Sequence, residues 1–224
     1  MSLDIKDQVE MQIRESSSYD VLKSVLTQIR SFHHHTHILY DLRSLLGDNC
    51  VYVEIGSYCG ASAALMLQHP KKTFVHCIDP LTLPPSHYKG TASQEETIKR
   101  NLEAFRGENE YKLWKGLSQS PRILNNMKDI TIDILFIDGD HSYEAVWRDF
   151  RNYQQFVKSG GFIVFDDYLD SLYSPQVRLA VDDIVKHIKE KNLPYEIIGS
   201  LPNHQKAFSC VPRDHLSEFI LYKI

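Results

Sequence analysis

Four aspartates and a histidine stand in two short runs, Asp138-Gly139-Asp140-His141-Ser142-Tyr143 and Asp166-Asp167-Tyr168. Each run follows an apolar stretch that reads as a strand, Ile132 to Ile137 for the first and Gly160 to Phe165 for the second. Neighbouring strands lie ~4.8 Å apart, so carboxylates at their ends can converge. Anions brought together repel one another unless a cation or shared protons compensate. Oxygen donors with no cysteine among them suit Mg²⁺, Mn²⁺ or Ca²⁺ better than zinc. Any one of these aspartates could simply fill a turn or cap a helix; four at two successive strand ends is a stronger pattern.

A second constellation lies upstream. Val51 to Ile55 reads as a strand, and Glu54-Ile55-Gly56-Ser57-Tyr58-Cys59-Gly60-Ala61-Ser62 carries it into a helix. Two glycines four apart at such a turn let the backbone bend sharply and approach a ligand closely. Glu54, Gly56, Ser57, Gly60 and Ser62 are therefore candidate cofactor residues, joined by Asp138 at the later strand end. The spacing departs from G-x-G-x-x-G, which disfavours an NAD-dependent dehydrogenase. Asp79 closes the next strand, where an acceptor-only carboxylate can take both ribose hydroxyls of a nucleoside; before Pro80 it also suits a plain turn. After the third strand, Gly116 and Ser118 could border an adenine, or Ser118 could cap the helix that follows.

The elements that must position these residues follow from periodicity. Residues 4–16, 19–32 and 38–46 read as amphipathic helices. Strands are expected at 51–55, 73–78, 111–114, 132–137 and 160–165, with closing strands at 195–198 and 207–211. Helices fall at 61–68, 93–106, 118–127, 143–157 and 175–191. Alternation at this spacing means βαβ units and a largely parallel sheet covered on both faces. Ligands of such sheets sit beyond the carboxyl ends of the strands, where every candidate residue falls. Residues 1–49 are read as a helical extension, either a cleft cap or a dimer surface, and 50–224 as the catalytic domain. The Pro-, Ser- and Gly-containing stretch from Leu81 to Thr91 is long enough to form a loop over the site.

The 224 residues suffice for one sizeable core, and 42% hydrophobic with 24% charged residues is a soluble profile. A formal charge of −4 and a pI near 6.2 give no global field for nucleic acid or an anionic membrane. No run is apolar enough to span a bilayer and no signal-peptide core is visible, so a cytoplasmic location is expected. Cys50, Cys59, Cys77 and Cys210 are unpaired in spacing and read as free thiols. The His33 to His37 run favours a packing or solvated role over metal binding, since only His33 and His37 share a helix face, with substrate contact the alternative if this helix caps the cleft. Tyr88, Tyr143 and Tyr168 are candidate pocket residues or plain core aromatics.

E-I-G-S-Y-C-G-A-S, Asp79, F-I-D-G-D-H-S-Y and G-G-F-I-V-F-D-D-Y together resemble the class I methyltransferases. More narrowly they resemble the small O-methyltransferases that include the macrocin-type sugar enzymes of macrolide and aminocoumarin biosynthesis. The resemblance runs from about residue 50 to residue 168. It implies a Rossmann-like α/β sheet of seven strands, mostly parallel with the last antiparallel, helices on both faces and S-adenosylmethionine (SAM) over the first two strands. It also implies a divalent metal, Mg²⁺ first, on Asp138, Asp166 and Asp167. Asp140 falls at the place of the general base, and His141 beside it orients the substrate or a ligand. The acceptor would be a small-molecule hydroxyl, on a sugar or another vicinal diol or catechol-like compound. Such a hydroxyl is a poor nucleophile at neutral pH; metal coordination acidifies it and a neighbouring base takes its proton. The alternatives are a metal-independent methyltransferase using Asp140 or His141 as base, and a non-catalytic SAM-binding module, which would have no need of the strand-end acids. A homodimer is compatible with the amphipathic N-terminal helices.

Overall fold

A computed structural model describes residues 3–29, 36–88, 91–202 and 217–224. His33 to His35, Cys210 and the strand expected at 207–211 lie outside these residues. The chain alternates strands and helices in the order that periodicity implies. Three N-terminal helices, α1 (Ile5–Glu15), α2 (Ser18–Leu26) and α3 (His37–Ser44), precede β1 (Cys50–Ile55) and α4 (Ala61–Leu67). Then come β2 (Thr73–Asp79), α5 (Gln94–Phe105), β3 (Glu110–Lys115), α6 (Pro121–Met127), β4 (Ile132–Ile137) and α7 (Tyr143–Tyr153). The chain continues through β5 (Val157–Phe165), α8 (Pro175–Lys191), β6 (Tyr195–Gly199) and β7 (Phe219–Lys223).

The sheet has seven strands in the order β3-β2-β1-β4-β5-β7-β6. Only β7 runs antiparallel to its neighbours, β5 and β6. β4 is buried along its whole length, as expected for a parallel strand covered on both faces. β3 at the edge keeps Glu110 and Lys115 exposed, which blunts it against further pairing. The final strand is Phe219–Lys223, a run absent from the expected elements. Several short apolar runs near the C-terminus have equal local claim to be strands, and only pairing between β5 and β6 selects this one.

A second boundary also shifts. The helix expected over 143–157 stops at Tyr153, a 3₁₀ turn covers Gln154–Phe156, and β5 begins at Val157 rather than at the glycine pair. The pair instead sits in an irregularity between β4 and β5, where Ile132 pairs with Val157 and Ile134 already with Phe162. A Cβ on Gly161 would lie 2.9 Å from the Asp133 carbonyl, so the close approach excludes a side chain there.

One face of the sheet carries Val9, Ile13, Val25, Ile38 and Leu42 of the N-terminal helices in the same buried cluster as Tyr52, Val75, Ile134 and Phe162. The opposite face buries Phe150, Val181 and Ile184 of α7 and α8 against Val53, Leu135 and Ile163. The first three helices thus share the core with β1 and β4. Fully buried Arg43 fastens α3 to the start of β2. It donates to Thr73 Oγ1 at 2.9 Å and to the Gly47 and Lys72 carbonyls at 2.8 Å each. Among the described residues no helix is long and apolar enough to cross a membrane.

The register sets the site. Ile55 pairs with Ile78 on one side and Ile137 on the other, and Ile137 pairs with Phe165. The ladder runs one residue further, with Gly56 N–H on Ile78 O, Asp138 N–H on Ile55 O and Asp166 N–H on Ile137 O. Gly56, Asp79, Asp138 and Asp166 therefore come off one sheet edge at nearly one level. Strand order reverses between β1 and β4, the switch point at which such sheets open a crevice.

Candidate active site

A cavity of about 540 Å³ opens at that switch point, within the range of small-molecule and cofactor pockets. Its wall includes Gly56, Asp79, Gly116, Ser118, Asp138, Asp140 and His141 from the expected set. Glu54, Ser57, Gly60, Ser62, Asp166 and Asp167 do not line it.

The turn after β1 passes close beneath the end of β4. Gly56 has φ +86°, and a Cβ on it would lie 1.9 Å from the Asp138 carbonyl oxygen. Gly60, also left-handed, faces Ile98 and Leu102 of α5, so its missing side chain serves packing. Glu54 is buried behind the turn, where its Oε2 accepts from Tyr52 Oη at 2.9 Å and Ser62 Oγ at 2.8 Å. Burial pushes its carboxyl above the usual range, against the hydrogen bonds that favour its charged form. Glu54 and Ser62 brace the turn from within.

Asp79 reaches the cavity but spends its oxygens on the loops around it. Oδ2 accepts the N–H groups of Ser57 (2.9 Å) and Tyr58 (3.2 Å). Oδ1 accepts Leu81 N–H (2.7 Å) and Gln94 Nε2 (3.3 Å). A carboxylate offers about four acceptor positions, so a ribose hydroxyl would exchange with one of these, and the long Gln94 contact is the weakest. The loop after β2 borders the cavity through Pro80, Thr82, Leu83 and His87, and Tyr58 Oη donates to the His87 carbonyl at 2.9 Å. Among the described residues, Tyr58 is the tyrosine that lines the cavity. Tyr88 donates to the Ala92 carbonyl, and Tyr143 and Tyr168 turn to Asp183 and Asp182 on α8.

Ser118 does not cap α6; Ser120 does. Ser118 Oγ donates instead to Asp149 Oδ1 at 2.6 Å. Asp149 and Arg148 also line the cavity and were not among the expected residues. Burial pushes the Asp149 carboxyl up to about 6, with Ser118 and Arg148 pulling it down and Asp140 pushing it further up. A carboxyl raised from about 4 to about 6 binds more protons folded than unfolded, so it lowers stability as pH rises through that interval. The full penalty, on the order of 3 kcal/mol, is present at neutral pH. Asp149→Asn is expected to raise the thermal midpoint at pH 7 and to leave it unchanged near pH 4. An equal effect at both pH values in a melting series would refute this account.

The second acidic run forms a chain of contacts. His141 Nε2 lies 3.3 Å from Asp138 Oδ1, and Nδ1 lies 2.8 Å from Ser174 Oγ and 3.5 Å from Asp167 Oδ2. Ser174 Oγ donates to Asp167 Oδ2 at 2.8 Å. The Asp138 hydrogen bond, supported by the charges of Asp138, Asp167 and Asp166, holds the imidazole above its ordinary range against burial. Asp166 is buried at the strand end. Asp140 is exposed, its Oδ1 accepting Ser142 N–H at 2.9 Å, and that bond holds its carboxyl below the usual range. It is thereby a weaker proton acceptor than His141. Among the described residues no group of three or more His, Cys, Asp or Glu side chains is arranged to hold a metal ion; the ring of His141 lies between Asp138 and Asp167.

Residues 53–168 match the family described as "Methyltransferase domain". The chain is 42% identical over 203 residues to an uncharacterized protein of Acanthamoeba polyphaga mimivirus, covering 86% of this chain and 88% of the other. Its fold is similar to a structure assigned as a caffeoyl-CoA O-methyltransferase from Staphylococcus aureus, with a TM-score of 0.61, 16% identity and full coverage of both chains. It is also similar to the MycE methyltransferase of the mycinamycin biosynthetic pathway, solved with Mg and SAH, with a TM-score of 0.59 and 16% identity over 94% of this chain and 55% of that one. With more than half of its length matched and the cavity at the expected strand ends, the chain belongs to the methyltransferase-domain family and is a SAM-dependent enzyme.

Proposed function

We propose that this enzyme methylates a hydroxyl oxygen of a small acceptor, a sugar or another vicinal diol or catechol-like compound, with His141 receiving the hydroxyl proton. The observation that carries this reading is the placement of His141 on the cavity wall, with one ring nitrogen beside Asp138 and the other held by Ser174. SAM supplies the methyl group on a sulfonium, an electrophile that needs in-line approach and no acid. The chain's own residues do the rest. The Gly56 turn and Asp79 line the cavity, and Ser118 and Asp149 present further polar groups to it. Ile55, Ile78 and Ala145 give the cavity apolar surface between them and limit water. His141 takes the proton as the hydroxyl becomes a nucleophile, and Asp138 and Ser174 hold the imidazolium so formed.

The sugar assignment is supported by the resemblance of the two acidic motifs to the macrocin-type enzymes. A divalent metal is supported by the same resemblance, by the all-oxygen chemistry of Asp138, Asp166 and Asp167, and by the Mg in the MycE structure. In the present arrangement the ring of His141 lies between Asp138 and Asp167. Bound there, a metal would acidify a coordinated hydroxyl. Alternatively His141 works without it.

Calorimetry tests the reading. SAM is expected to bind in the micromolar range and NAD not at all; the reverse result, or no heat with SAM, would overturn it. Mg²⁺ or Mn²⁺ titrated into the SAH complex is expected to give heat with the wild type and none with Asp166→Ala. Equal responses would leave the metal-independent form of the reaction.

A further inference from the structure

Gln94 opens α5, in a first turn where the helix N-terminus favours acids and where Glu95 and Glu96 follow it. The reciprocal bonds of Ser93 and Glu96 cap that turn without its help. Gln94 is nonetheless 2% exposed, and it does not line the cavity. Its side chain reaches the strand ends. Oε1 accepts the N–H of Leu83 at 2.9 Å, while Nε2 donates to the Tyr58 carbonyl at 3.1 Å and to Asp79 Oδ1 at 3.3 Å. These partners decide which end of the amide is which. An N–H needs the oxygen, and a carbonyl and a carboxylate need the NH₂ group.

Three pieces of the cavity wall meet at this amide. Tyr58 belongs to the turn after β1, Asp79 ends β2, and Leu83 lies in the loop that follows. Tyr58 and Leu81 have left-handed backbones, φ +46° and +56°, uncommon for residues with side chains. Both send their N–H groups to Asp79. We propose that Gln94 is a positioning residue for the nucleoside half of the cofactor, holding the β1 turn and the β2 loop in register around the Asp79 carboxylate. This rests on Asp79 being the acceptor of the ribose hydroxyls. Magnitudes decide the sign of its effect. The 3.3 Å bond to Asp79 is weak, so a ribose hydroxyl that replaced it would forfeit little. Losing the amide altogether leaves the Leu83 N–H and the Tyr58 carbonyl without it, and the wall that aims Asp79 comes apart. A glutamine kept for the helix alone would be interchangeable with glutamate, which suits a first turn at least as well. One kept for this junction is not, because a carboxylate has no hydrogen for Tyr58 or Asp79.

Calorimetry with SAH and its 2′- and 3′-deoxy forms tests this without any methyl acceptor. The wild type is expected to prefer SAH over the weaker deoxy form by about tenfold or more. Gln94→Met, similar in length, and Gln94→Glu should each weaken SAH binding by about tenfold or more and cut that preference below about threefold. A merely looser fold would weaken all three ligands alike and leave the preference standing. In the ligand-free protein, the Leu83 amide should exchange its hydrogen about tenfold faster or more in Gln94→Met. Wild-type affinity in Gln94→Glu, an undiminished preference in either variant, or a Leu83 amide as slow as in the wild type would each overturn the proposal. Equal binding of SAH and both deoxy forms by the wild type would instead sink the ribose role of Asp79, and the proposal with it.

Discussion

His141→Ala is expected to lower kcat by about 10²- to 10⁴-fold, the usual worth of a positioned general base, with SAM affinity changed by no more than about twofold. The split follows from where the ring stands. It borders the cavity, yet its polar contacts are Asp138, Asp167 and Ser174, and none of the residues that shape the turn after β1 leans on it. Removing it therefore leaves the cofactor end of the cavity intact and deletes the proton acceptor. Asp140→Ala is the informative comparison. Its carboxylate sits on the Ser142 N–H at the start of α7, and that bond holds it below the ordinary range. A base of lowered pKa drives proton transfer less well, so Asp140→Ala should cost under about tenfold, chiefly through a looser start to α7. Single-turnover rates with saturating SAM separate the two. Comparable losses in both variants, or the larger loss in Asp140→Ala, would return the base to Asp140.

The strand ends were legible because a parallel sheet leaves little choice. Apolar β-branched runs give the strands, alternation gives the parallel order, and ligands then fall beyond the carboxyl edge. Gly56, Asp79, Asp138 and His141 were reachable by that route, and the cavity is where it leads. What each side chain faces was not legible. Glu54 and Ser62 belong to the same motif as Gly56, but strand alternation turns Glu54 inward to Tyr52 and Ser62. Gly60 reads like Gly56 in the sequence, and only the packing of α5 shows that its bareness serves Ile98 and Leu102. Ser174 lies 33 residues from His141, and no local pattern links them. Asp149 did leave a signal. Ala145, Val146, Asp149, Phe150 and Tyr153 form the buried stripe of α7 at helical spacing, and an acid within such a stripe points to a polar partner or a ligand.

Gly56→Ala should all but abolish SAM binding, whereas Gly60→Ala should spare it, although both glycines are left-handed and four residues apart. A Cβ at Gly56 meets backbone, the Asp138 carbonyl at 1.9 Å with Gly139 Cα at 2.8 Å. Backbone cannot rotate aside, so either the β1 turn or the β4 turn must move. Both bound the cavity, and the second carries Asp138 and His141. Left-handed φ adds about 1–2 kcal/mol for a residue with a Cβ. A Cβ at Gly60 meets only the side chains of Ile98 and Leu102, at 3.0 and 3.1 Å, which can give by a few tenths of an ångström. Its cost is the same left-handed strain plus strain in the packing of α4 on α5, the latter on the order of 1–3 kcal/mol of stability. Each factor of ten in affinity is about 1.4 kcal/mol, and displacing the backbone at both turns is expected to weaken SAM binding by about 100-fold or more. Thermal denaturation run beside calorimetry separates strain from site loss: both variants should melt earlier, and Gly56→Ala alone should lose its SAM-induced rise in midpoint. If Gly56→Ala kept that rise, the β1–β4 crevice would not be where the cofactor lies.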